Sequence, residues 1–151
     1  DFKYSTSLEY SRFIRELQAK TSFIRYNTEK SGYAVDPTLA NSFALSLKTE
    51  DHKRYQDIHQ KLINIYEEWI PWATGTDKIK YIKEKFYHKL KLYGMTRQII
   101  EEFKNDLEPF AGEEYCHQRL QFREEIENDQ DLSELLGNEL VELSAYIKQL
   151  K

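Results

Sequence analysis

The chain has 151 residues, 40% of them hydrophobic and 32% charged, with a formal charge of -4, which are the proportions of one soluble folded domain. No uncharged apolar run approaches the roughly 20 residues of a membrane-spanning helix, and no basic-then-apolar leader opens the chain at Asp1, so neither a transmembrane segment nor a secretion signal is expected. Cys116 stands alone, which excludes an internal disulfide or a multi-cysteine metal site and fits a reducing, cytoplasmic setting.

Five glycines and three prolines fall between segments whose apolar residues recur at three- and four-residue steps. That spacing predicts an all-α fold, with one domain over 1–151 built as an antiparallel bundle of six to seven helices and no sheet. A first helix is read from about Leu8 to Arg25, opened by the capping box Thr6-x-x-Glu9 and striped by Tyr10, Phe13, Ile14, Leu17 and Ile24, with Ser31-Gly32 breaking it. Asp36-Pro37 starts a second helix, because the Asp side chain can accept orphan amides and proline lacks the donor that position would waste. Leu39, Ala40, Phe43, Ala44 and Leu47 form its stripe. A third begins after Thr49, with Glu50 and Asp51 at the positive end of its dipole, and should bury Tyr55, Ile58, Leu62, Ile65, Tyr66 and Trp69 before Pro71 ends it.

The fourth helix, from about Asp77 to Tyr93, carries Ile79, Ile82, Phe86, Leu90 and Tyr93 in register, and Gly94 is its left-handed terminator. Thr96 caps a shorter fifth helix bearing Ile99, Ile100, Phe103 and Leu107, which Pro109 and Gly112 close. A sixth, from about Glu113 to Asn128, has the poorest stripe. Asp131-x-x-Glu134 opens a last helix in which Leu132, Leu136, Leu140, Leu143, Ile147 and Leu150 follow a near-heptad spacing.

Charge is divided along the chain: residues 1–100 hold 17 basic and 12 acidic side chains, residues 101–151 hold 5 and 14. The halves either lie against each other or offer two faces to two partners. The segment 78–92 concentrates Lys78, Lys80, Lys83, Lys85, Lys89 and Lys91 against one glutamate, with Tyr81 and Tyr87 interleaved, and forms the expected anion- or partner-binding face. The pI near 5.6 and the lack of arginine there favour a protein partner, with nucleic acid the second possibility. Tyr26, Tyr33, Trp72, Phe110 and Tyr115 fall near helix ends, where rings either seal a bundle or anchor an interface.

Arg54-Tyr-Gln-Asp-Ile-His59 resembles the Arg-x4-His element of HEPN ribonucleases, all-helical domains of similar size. That resemblance implies a dimer in which Arg54 and His59 position RNA and assist attack of a 2′-hydroxyl without metal. Pro37, Phe43 and the pair His59 and His88 also look like the proline, phenylalanine and two-histidine spacing of globins, implying ligand carriage. At 100° per residue, however, His88 projects with Lys80, Glu84 and Lys91, opposite Ile79, Ile82, Phe86 and Leu90, so no haem pocket is expected.

Glu114-x-x-His117 has metal-ligand spacing on one helix, but a di-iron bundle needs it twice, and neighbouring Cys116 and His117 point about 100° apart, unsuited to a nucleophile and base. No metal or cofactor is expected. The sequence therefore points to a non-enzymatic helical domain that binds another macromolecule, with homodimerisation open, and with the ribonuclease and the ligand-carrying bundle as alternatives.

Overall fold

The computed structural model describes residues 7–21, 24–27 and 32–150. The fold is all-α with one short hairpin: α1 (Ser7–Lys20), β1 (Ile24–Asn27), β2 (Gly32–Val35), α2 (Pro37–Glu50), α3 (His52–Trp69), α4 (Gly75–Tyr93), α5 (Arg97–Leu107), α6 (Cys116–Glu127), α7 (Gln130–Leu136) and α8 (Glu139–Gln149). Eight helices thus stand among the described residues, where six or seven were expected. The chain divides into two compact units, Asp1–Tyr55 and Gln56–Lys151.

In the first unit the expected absence of a sheet is corrected. β1 and β2 pair antiparallel, with Ile24 opposite Val35 and Tyr26 opposite Tyr33. Helix α1 ends at Lys20, so Ile24 belongs to a strand and not to a helical stripe. Each strand has only four residues, too few for a two-residue alternation of β-branched and aromatic side chains to stand out from helical spacing. The capping box at Thr6 and the side chain of Tyr10 lie outside the described residues. Asp36 caps α2 as expected: its carboxylate accepts the amides of Thr38 at 3.1 Å and Leu39 at 3.3 Å, with Pro37 in the first turn.

The second unit has its core among α4 to α8. Ile79, Ile82, Phe86 and Leu90 of α4 join Ile99, Ile100, Phe103 and Leu107 of α5, Phe122 and Ile126 of α6, Leu132 and Leu136 of α7, and Leu143 and Ile147 of α8. Phe86 stacks on Phe103 with ring centroids 4.0 Å apart, and Phe103 lies 6.1 Å from Phe122. Gly94, at φ 73°, ends α4 with its amide donating to the Leu90 carbonyl at 2.9 Å, and the Thr96 hydroxyl accepts the Ile99 amide to cap α5.

The stretch expected to form one sixth helix opens as a short 3-10 turn, Glu113–Tyr115, before α6. Buried Arg119 donates to the carbonyls of Phe110 at 2.6 Å and Gly112 at 2.5 Å, satisfying loop acceptors that would otherwise be lost inside. The expected last helix is two helices. Gly137, at φ 53°, separates α7 from α8, and the cap of α7 is Asp129, not Asp131, accepting the Leu132 amide at 3.1 Å.

Candidate functional site: the aromatic and histidine seam of α3 and α4

Helix α4 is buried on more than one side. Its Ile79, Ile82, Phe86 and Leu90 point into the main core, whereas Tyr81 and His88, seven residues apart and so on one face, meet side chains of α3. The 100° spacing that sets His88 opposite the stripe of Ile79, Ile82, Phe86 and Leu90 holds, and the side it faces is packed against α3. His88 is only 9% exposed.

The buried line of α3 is also not the one expected. Tyr55, His59 and Ile63 are buried, Leu62 and Tyr66 half-buried, and Ile58, Ile65 and Trp69 exposed. A neutral, paired histidine occupies a core position that hydropathy spacing assigns to an apolar residue, and the stripe is rotated accordingly.

Within the seam the Nδ1 atoms of His59 and His88 are 2.8 Å apart. One imidazole must therefore donate and the other accept, which requires opposite tautomers at that nitrogen. Burial, and then the charge of His59, lower the pKa of His88 to about 4; burial and the nearby Lys91 lower that of His59. The pair is neutral at pH 7. Tyr66 stacks over His88 at 6.0 Å with planes 12° apart, and Tyr87 meets the same ring edge-on at 5.1 Å. Burial and the neighbouring Glu84 raise the Tyr66 pKa. Below the histidines, Tyr81 lies 5.8 Å from Tyr66 and 5.4 Å from Trp69, and Trp69 meets Tyr66 edge-on at 6.1 Å. At the other end the Tyr93 hydroxyl donates to Gln60 at 2.6 Å.

The ring column opens to solvent where α3 turns into α4. Pro71 cannot continue the helix, and the amides of Trp72 and Ala73 both donate to the Trp69 carbonyl at 3.0 Å. The tight turn leaves Trp72 86% exposed, beside Trp69 at 49%. A pocket of about 310 Å³ lies there, lined by Trp69, Trp72, Ala73, Thr74, Asp77 and Tyr81.

The lysines of 78–92 are distributed around α4 and do not share one face. Lys80 is exposed, Lys78 and Lys91 are half-buried, and Lys91 rests its ammonium 5.3 Å above the Tyr87 ring. Lys83 pairs with Asp129 at 3.4 Å, and buried Lys85 pairs with Asp106 and with Glu102 at 3.4 Å. Lys89 bridges Glu102 at 2.5 Å and Glu67 at 3.1 Å. Burial opposes the charged forms of Lys89 and Glu102, but these ion pairs prevail, raising the lysine pKa and lowering that of the carboxyl. Tyr81 meets the seam rings Tyr66 and Trp69, whereas Tyr87 packs against the main core and its hydroxyl donates to Asp131 at 3.4 Å.

Arg54 is exposed on α3, and His59 is buried, turned inward onto His88. The histidine pair does not leave room for iron between its nitrogens, since two trans metal–nitrogen bonds of roughly 2.0 Å would hold them about 4 Å apart. Glu114, Cys116 and His117 are all exposed. No cluster of three or more metal-ligating side chains occurs among the described residues. Among those residues, no helix is long and apolar enough to cross a membrane.

Fold and site together describe an all-α chain with a closed histidine pair and an aromatic pocket open at one end of the same seam. No protein-family profile, curated protein or solved structure matches it.

Proposed function

We propose that this chain is a helical binding domain for another protein and that it makes contact through the open end of the α3–α4 seam. The observation that carries the reading is Trp72, 86% exposed next to half-exposed Trp69 in a chain with only two tryptophans. An indole presents roughly 200 Å² of surface, which at about 25 cal/mol per Å² leaves on the order of 5 kcal/mol of burial unrealised in the isolated chain. Large rings left in water beside a pocket are the usual anchors of protein interfaces.

The lysines contribute less than their number suggests. Lys83, Lys85 and Lys89 are occupied by carboxylates of the same unit, so Lys80 and Lys78 remain as the cations best placed to steer an acidic partner or a nucleic acid. The test is association of the purified chain with partners from its own cells, compared across variants. Trp72→Ala should cut association at least about tenfold with an unchanged thermal melt, while Lys80→Glu should change it chiefly at low salt. Nucleic-acid binding abolished by Lys80→Glu and indifferent to Trp72→Ala would overturn the reading.

A further inference from the structure

We propose that the pocket lined by Trp69, Trp72, Tyr81 and Asp77 receives an alkylated ammonium group, carried on a methylated lysine of a protein partner. The inference rests on the reading that this end of the seam is the contact surface, and it adds the chemistry that would be recognised there.

Three aromatic side chains line one small pocket of about 310 Å³, near the lower end of the roughly 300–1,000 Å³ typical of ligand sites. Aromatic faces carry negative quadrupole potential and attract cations, and alkylated ammonium suits them best because it sheds water more easily than a bare ammonium. Asp77 adds a full negative charge to the same wall. The N-terminus of α4 also lies there, and its dipole is worth about half a positive charge, less than the carboxylate it faces. Asp77 is the one charged residue in the lining, beside three aromatic side chains, so the sign of the pocket favours a cation. Thr74, also in the lining, stands at the N-cap position, yet its side chain makes no capping hydrogen bond. The pocket is shallow, nearer to an open surface than to an enclosed cavity, so a free small cation would stay largely wet. A cation on a peptide would add contacts from its flanking backbone to exposed Trp72.

Both tryptophans of the chain line this pocket, so intrinsic fluorescence reads it directly. The full chain would be titrated with an acetylated Gly-Ser-Lys-Ser-Gly peptide bearing trimethyllysine, with its unmodified counterpart, with tetramethylammonium chloride, and with phosphatidylcholine vesicles. The trimethylated peptide should give a saturable change and bind at least about tenfold more tightly than the unmodified one, with tetramethylammonium competing weakly. Asp77→Asn should weaken binding about threefold or more, and Trp72→Ala should abolish it without moving the melting temperature. Equal affinity for the two peptides, no saturable change with any probe, or vesicle binding stronger than peptide binding would each overturn the proposal. If Trp72→Ala still abolishes association with cellular partners in that case, the contact surface stands and only its cation specificity falls.

Discussion

Lys85 and Lys80 sit five residues apart on α4 and have opposite roles. Lys85 is 6% exposed and ion-paired to Asp106 and Glu102, whereas Lys80 lies in solvent. Removing one partner of a buried pair leaves the other charge poorly solvated, so Lys85→Ala should lower unfolding free energy by about 2–3 kcal/mol, while Lys80→Ala should stay within about 0.5 kcal/mol. Urea denaturation of the two variants checks this. The histidine pair makes a separate prediction. Both imidazoles titrate below the ordinary 6.5, His88 at about 4, so between these values the unfolded chain binds more protons than the folded one. Their contribution is complete above pH 6.5 and is lost as pH falls toward 4, amounting to about 3 kcal/mol at most for His88. His88→Asn should flatten the fall in stability between pH 6.5 and 4.5. An unchanged slope would assign the acid sensitivity to carboxylates such as Glu102, which titrate lower.

At the scale of the element, glycine geometry decides how many helices there are. Gly137 adopts φ 53° with open space around the position of an added Cβ, so Gly137→Ala meets backbone strain but no clash. It should destabilise by about 1 kcal/mol, measurable by thermal melt, and a neutral result would mean that α7 and α8 tolerate a different junction. The leucine spacing across 132–150 reads as one helix because hydropathy is blind to φ; only the glycine itself signals the break. The same limit explains the hairpin, whose four-residue strands are shorter than the window in which two-residue periodicity becomes visible.

Elements with local causes were legible. Asp36-Pro37, Thr96 and Gly94 act through neighbours within four residues, and the core stripes of α4 and α5 follow from helical spacing alone. The seam was not legible. A helix with two buried faces, such as α4, breaks the assumption that polar residues opposite an apolar stripe face water. His88 and Lys85 are buried there because a histidine and carboxylates from other helices receive them, and such long-range pairing leaves no mark in local periodicity. Trp72 was singled out by its position near a helix end, but only the turn at Pro71 shows which way it points.

Over the whole molecule, the excess of base before residue 100 and of acid after it is partly consumed inside the second unit, where Lys83, Lys85 and Lys89 of α4 meet Asp129, Asp106 and Glu102. The charge asymmetry is thus in part a packing feature of one helix among acidic neighbours, and it weakens the case for a broad cationic face. Trp72 is the most exposed large hydrophobic side chain among the described residues, and half-exposed Trp69 stands beside it at the α3–α4 turn. Their role as a contact surface is tested most directly by a photo-reactive amino acid placed at position 72 and, as control, at exposed Asn105 of α5, with cross-linking in the cells that make the protein. The account predicts a discrete protein adduct from position 72 that is absent from position 105. Matching adducts from both positions, or none from 72, would contradict it.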